Sequence, residues 1–465
     1  MIEPPKRITL DEWDARYEQL RAQGLSEAFY GGPLRRHVAD GDTRLLRLRM
    51  DNSAAALRLW NLLLTEEDRL RRAVCDGKKL VGTMKDLGTV PVMAYALPNL
   101  TAFYPDGAWW IPCIMECNSR VLALADAQGI DESFCPVRAM LGAFVGGEHF
   151  PLPGLLVCSV GATCDDMRAI AQRLAELGHE VVWWEIPHRR RPDADEPAVE
   201  LPGGFTAPRS LVDVVKAELA RVGQVLEEYA GEALTEDRLS ASIRQANAVR
   251  ARLAELRQWI FTAPRCPLPA LESQIAEILA IHFCSDPAET ISVLDDLLAE
   301  VRRRVENDLG VLDADAVRVF WVNPVADLRV MNLLEDVGGR VCGSEYLFCH
   351  ALDLIPEDLP PLEALARMAL ADPMVGSPID RAERICADMQ QWGAEALVVS
   401  RIPGASHCAL EGALIGRHVQ KRLAVPTVEI EVPPITDALE PTLRTRLEAL
   451  VESVRERPLQ GKPQN

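Results

Sequence analysis

The chain has 465 residues, 48% of them hydrophobic and 26% charged, which exceeds one ordinary core and points to two or three domains of about 150 residues each. That balance excludes disorder or a fibrous repeat as the main state. A formal charge of −19 repels phosphate backbones and anionic lipid surfaces, so nucleic acid is not an expected partner.

Met1–Thr9 lacks the basic-then-apolar layout of a signal peptide, and no window approaches the roughly 18 apolar residues of a membrane span. No membrane association and a cytoplasmic location are therefore expected. In that reducing setting the twelve cysteines are buried thiols, metal ligands or redox groups, and not a disulfide scaffold.

The stretch from Leu10 to about Asp76 is charged and helix-prone, so residues 1–76 read as an N-terminal helical segment. From Gly77, short apolar runs alternate with helical patterns, the mark of a parallel sheet wrapped by helices. Gly154–Gly161 reads as a buried strand, Asp165–Leu177 as a helix ended by Gly178, and His179–Pro187 as a further strand. The Pro- and Arg-rich Pro187–Pro208 reads as a loop, closing a first α/β lobe over 77–209. Residues 210–310 are helical almost throughout and form a linking segment. Alternation resumes with strands at Ala316–Val322, Arg340–Cys342 and Ala396–Ser400 and helices at Leu328–Val337 and Arg381–Trp392, giving a second α/β lobe over 311–465. The fold class expected is α/β: two parallel-sheet, Rossmann-like lobes with an N-terminal helical segment and a helical link. A Gly-x-Gly-x-x-Gly turn, a Walker loop and a Gly-x-Ser-x-Gly elbow are missing, which removes support for nucleotide-fold and serine-hydrolase readings.

Open α/β sheets bind ligands at the carboxyl ends of their strands, and three cysteines stand in such settings. Cys164 follows a strand and opens a helix, where backbone donors and the helix dipole favour a thiolate. Cys408 has the same strand-to-helix setting, with His407 beside it. Cys135 precedes Pro136, which suits a first helical turn. Ordinary burial competes with ligation at each, since free cysteine is among the most buried residue types. Cys113 and Cys117 form a Cys-x3-Cys pair that would share one helical face; Cys342 and Cys349 are further candidates. Cys158, central in an apolar strand, reads as core. Trp109–Trp110 and Trp183–Trp184 read as core or interface before pocket. The acids beside the motifs, Asp165, Asp166 and Glu411, read as solvated caps.

Several segments together resemble the superfamily of 2-hydroxyacyl-CoA dehydratase and benzoyl-CoA reductase subunits. They are Gly77-Lys-Lys-Leu-Val-Gly-Thr, Phe134-Cys-Pro-Val-Arg-Ala-Met-Leu-Gly, Ala162-Thr-Cys-Asp-Asp, the helical Gln245-Ala-Asn-Ala-Val-Arg-Ala-Arg, the Cys408 segment leading into Val425-Pro-Thr-Val-Glu-Ile-Glu-Val, and Thr442-Leu-Arg-Thr-Arg-Leu-Glu-Ala-Leu-Val-Glu. The resemblance implies two α/β lobes joined through helices, with an iron–sulfur cluster of the 4Fe–4S type in the cleft. It places the cluster cysteines at Cys135, Cys164 and Cys408, leaving one iron without a protein ligand.

In such proteins an ATP-driven activator passes an electron through the cluster to an acyl-CoA thioester, giving a ketyl radical anion. An acyl-CoA substrate, an activator protein and a homo- or heterodimer with a related subunit are the partners implied. The surplus of Cys113, Cys117, Cys342 and Cys349 leaves a second branch open, in which a double-cubane cluster reduces small molecules. A non-catalytic partner subunit of the same fold is the third reading.

Overall fold

The apolar runs form strands that are buried on both faces in the sheet interiors, as parallel sheets wrapped by helices require, while the edge strands Val181–Ile186 and Thr427–Glu431 stay partly exposed. The computed structural model describes residues 3–23, 45–84, 88–107, 119–162, 164–281, 285–345 and 351–457, with side chains except at residues 45 and 407–409. The first sheet contains β1 (Lys79–Met84), β2 (Leu100–Phe103), β3 (Leu155–Gly161) and β4 (Val181–Ile186), in the order β2-β1-β3-β4 with every pair parallel. The second contains β5 (Val317–Val322), β6 (Gly339–Glu345), β7 (Ala396–Arg401) and β8 (Thr427–Glu431), in the order β6-β5-β7-β8, again all parallel.

The two lobes thus share one topology. In each, the chain steps outward from the first strand to the second and then returns past the first to the third. The strand order reverses between β1 and β3 and between β5 and β7. At such a reversal the connections diverge to opposite faces, opening a crevice beyond the carboxyl ends.

Helices Arg209–Ala230, Glu236–Thr262, Ala270–Ile278 and Pro287–Glu306 fill the chain between the sheets. Helix Glu236–Thr262 is fastened to both lobes. Ser242 Oγ donates to the Val92 carbonyl at 2.6 Å on the first side, and Arg340 of β6 donates to the Ile260 carbonyl at 3.3 Å on the second. The expected N-terminal helices appear as Leu10–Ala22, Ala54–Leu64 and Glu66–Cys75, the first opened by a reciprocal Thr9–Glu12 capping box. A small antiparallel ribbon, Arg7–Ile8 with Met50–Asp51, joins them. No helix among the described residues is long and apolar enough to cross a membrane.

Two local expectations change. The expected loop Pro187–Pro208 contains an antiparallel pair, Ala198–Glu200 with Thr206–Pro208; three-residue strands are too short to display a period. Strand β2, four residues long, was hidden for the same reason of length; β8 reads Thr-Val-Glu-Ile-Glu, a partly exposed edge strand without the apolar run of a buried one. Trp184 is core and Trp183 packs partly buried beside it, whereas Trp109 and Trp110 lie outside the described residues.

Helix Ala270–Ile278 is buried along its whole length although it carries Glu272, Gln274 and Glu277. Glu272 Oε1 accepts from the Asp51 N–H and from Trp60 Nε1, each at 2.9 Å, while Oε2 is buried without a hydrogen-bond partner among the described residues. Burial, reinforced by the nearby Asp51 charge, pushes the Glu272 carboxyl up to about 8. Burial likewise pushes Glu335 up to about 7, against the pull of Arg7.

Above the ordinary carboxyl value of 4.5 the unfolded chain releases a proton that the folded Glu272 keeps, so rising pH favours unfolding until about 8. Glu272→Gln should therefore gain stability relative to wild type as pH rises from about 4.5 to about 8. Thermal melting of both proteins across that range checks this, and a constant difference would contradict it.

Candidate functional site

On the first lobe, β3 ends at Gly161 with φ of +98°, where an added Cβ would come within 2.3 Å of the Ile186 carbonyl oxygen. Only glycine permits this close turn out of the sheet. Three residues later Cys164 stands at the N-cap of helix Asp165–Glu176, in extended backbone and with its thiol half-buried. Cys135 is buried just before the single turn Pro136–Arg138, with Pro136 at the first position as the sequence suggests. That turn packs against helix Asp165–Glu176. The two thiols therefore sit at the beginnings of two touching elements.

On the second lobe, β7 runs into Ile402–Ser406 and then helix His407–Leu423. Gly404 has φ of +79° and lies on the backbone that precedes Cys135: a Cβ there would be 2.5 Å from the Phe134 carbonyl oxygen and 3.1 Å from that of Glu132. Two residues on, the Ser406 N–H and Oγ–H donate to Asp166 Oδ2 at 3.0 and 2.8 Å. Cys164 Sγ lies 3.9 Å from the same oxygen. One five-residue loop thus touches the Cys135 segment and the Cys164 helix together, and it leads directly to Cys408. The side chains of His407 and Cys408 lie outside the described residues.

The first turn after Cys408 is anchored from behind. Arg381, fully buried on helix Pro378–Trp392, donates to Glu345 Oε1 and Oε2 at 2.7 and 2.6 Å, to Asn323 Oδ1 at 2.6 Å and to Glu411 Oε2 at 2.9 Å. Glu345 ends β6 and Asn323 follows β5, so one guanidinium ties two strand ends to the Cys408 helix. The paired carboxylates raise the Arg381 pKa against the cost of burial.

These contacts correct two sequence expectations. Asp166 is only 5% exposed and bridges the lobes, while Glu411 is held by Arg381; neither is a solvated cap. Asp165 does keep a solvent-facing role, pairing with Arg168 at 3.2 Å. Sequence periodicity gives no signal for Arg381, because Asp-Arg-Ala-Glu-Arg reads as a solvated helix face.

Cys342 lies inside β6, fully buried, with its thiol pushed up to about 12 by burial. Cys158 is core, as expected, and burial also pushes it up to about 12. Cys113, Cys117 and Cys349 lie outside the described residues. Among the described residues no three His, Cys, Asp or Glu side chains group as a metal site, a set that does not include the Cys408 thiol. Beside the Arg381 cluster, Ser344 and Glu345 border a cavity of about 280 Å³ that is also lined by Arg257, Arg384, Asp388 and Trp392. Burial raises the Asp388 carboxyl above its ordinary value, with Arg384 opposing.

Residues 94–454, a span that takes in Cys135, Cys164 and Cys408, match the family of the 2-hydroxyglutaryl-CoA dehydratase, D-component; Cys135 follows helix Ser119–Ala127 and not a strand, contrary to the setting expected for it. The chain belongs to this family. It is also similar to "Putative dehydratase subunit YjiM" of Escherichia coli (strain K12), 27% identical over 351 residues that cover 72% of this chain and 84% of the relative. On those grounds the chain is a dehydratase-type subunit.

An alanine at position 404 faces both a disfavoured φ and the Phe134 carbonyl. Gly404→Ala should cost this dehydratase-type subunit about 1–2 kcal/mol from the left-handed backbone alone, with faster amide exchange around residues 132–135. Unchanged urea denaturation and exchange would show that the loop contact is dispensable. Arg381→Met leaves Glu345 and Glu411 without their cation and should lower stability by about 3–5 kcal/mol, read from the same denaturation curves.

Proposed function

We propose that the chain is the iron–sulfur subunit of a 2-hydroxyacyl-CoA dehydratase, with Cys135, Cys164 and Cys408 holding a 4Fe–4S cluster. The observation that carries this reading is the convergence of their three segments. The Ile402–Ser406 loop rests on the backbone before Cys135 and hydrogen-bonds the helix that Cys164 opens. The donor set suits the group, since thiolates are the usual cluster ligands and three of them leave one iron open. When bound, the cluster supplies a low-potential electron and a Lewis-acidic iron.

The chain's own residues account for the rest of the reading. Cys164 opens a twelve-residue helix whose first N–H groups favour the thiolate, and Cys135 is held buried by the turn that Pro136 begins. Burial of Cys135, Met167 and Asp166 keeps water from that side of the crevice. Arg381 fixes the orientation of the Cys408 helix through Glu411. An acyl-CoA thioester is the substrate in this reading, an ATP-dependent activator delivers the electron, and a related or identical subunit completes a dimer.

Anaerobic reconstitution with iron and sulfide tests the proposal. Wild type should take up about four irons per chain, and Cys164→Ala should lose them while its circular dichroism stays that of a folded α/β protein. Colourless wild-type protein, or full iron content in the variant, would overturn the assignment. An iron count near eight, on the same ligation logic, would select a double cubane instead.

A further inference from the structure

The inter-lobe bond of Asp166 has features that a helix-start acid does not need. Acids in a first turn ordinarily face solvent and interact with the dipole, which is what Asp165 does with Arg168. Asp166 is 5% exposed, and its Oδ2 takes both donors of Ser406, a residue of the other lobe 240 positions away. Ser406 in turn forgoes its local option. It is the N-cap of helix His407–Leu423, yet its side chain makes no cap hydrogen bond there and is committed across the cleft. An N-cap serine that accepts from its own helix stands in extended backbone, whereas Ser406 is helical at φ −83° and ψ −58°, and its hydroxyl donates to Asp166 instead.

We propose that Asp166 is a positioning residue that sets the separation of the Cys164 and Cys408 segments and so prearranges the thiols for a metal group. The identity of that group rests on the function proposed above. Asp166 adjoins the helix start of Cys164, with Cys164 Sγ 3.9 Å from Oδ2. Ser406 lies two residues before Cys408. The bridge therefore joins the two thiol-bearing segments close in sequence to both cysteines. Gly404 holds the same loop to the Cys135 segment by backbone contact, Arg381 holds the helix that follows it from behind through Glu411, and Asp166 ties it to the helix that Cys164 opens. The carboxylate has a second effect. A negative charge this close to a ligand sulfur disfavours reduction of a bound cluster, because potentials follow the net charge around it.

The test uses full-length wild type, Asp166→Ala, Ser406→Ala and the conservative Asp166→Asn, all handled anaerobically. Asparagine keeps an oxygen that can accept both Ser406 donors but removes the charge. Cadmium binding to the metal-free proteins is read from thiolate-to-metal absorption, and the midpoint potential is measured after iron and sulfide reconstitution. Asp166→Ala and Ser406→Ala should bind cadmium about tenfold or more weakly, the usual effect of losing an outer-shell support. Asp166→Asn should bind nearly as wild type does, with its cluster potential moved in the positive direction.

Equal cadmium affinity in wild type and Asp166→Ala overturns the positioning role while leaving the cluster reading intact. Asp166→Asn as weak as Asp166→Ala also overturns it. If Asp166→Ala does not fold, Ser406→Ala and Asp166→Asn still decide by the same measures. Wild type that binds cadmium but takes up no iron and sulfide sinks the cluster reading alone. Wild type that binds neither overturns both.

Discussion

A site shared between two sheets exists only while the sheets' carboxyl ends are held at one distance, and in this chain the Ile402–Ser406 loop imposes that distance. Its hold is both steric and polar. Gly404 brings backbone against backbone at Phe134, and Ser406 gives both its donors to Asp166. Neither contact could form if the loop left the second lobe elsewhere than at its strand-order reversal. The identical orders β2-β1-β3-β4 and β6-β5-β7-β8 put a reversal beside β3 and another beside β7, and the Ser406–Asp166 bond joins the segments that leave those two strands.

The support behind this contact is strongly charged for a protein interior. Arg381 is buried with Glu345 and Glu411 against it. Burying such groups costs solvation that hydrophobic residues would not, but a planar guanidinium with several directed donors fixes orientation better than packing does. Arg381 reaches the ends of β5 and β6 and the Cys408 helix together, so orientation at the site is coupled to the second sheet. The linking helix Glu236–Thr262 does the equivalent at larger scale, with bonds to Val92 on one side and from Arg340 on the other.

The long elements are legible in the sequence. The strands Leu155–Gly161, Val317–Val322 and Ala396–Arg401 and the helices Asp165–Glu176 and Pro378–Trp392 fall where apolar runs and periodicity place them, because burial on one or both faces writes itself into spacing. The strands Leu100–Phe103, Ala198–Glu200 and Thr206–Pro208 did not, being shorter than any period they could show. At the site, the strand-to-helix settings of Cys164 and Cys408 were readable, as was the proline-led turn after Cys135. The partners of Asp166 and Glu411 were not: a buried bridge and a solvated cap use the same residue types in the same local pattern.

The sequence by itself determined which segments become strands and helices, that the two lobes are α/β, and that three cysteines stand at helix or turn starts. Those are local matters, governed by burial periodicity, proline and glycine within a few residues. Only the tertiary structure decided that the lobes share one strand order, that Gly404 lies on Phe134, and that Asp166 belongs to Ser406. The physical reason is distance along the chain. A hydrogen bond across 240 positions leaves no mark on local spacing, and it forms because the packed lobes bring the segments after β3 and β7 together.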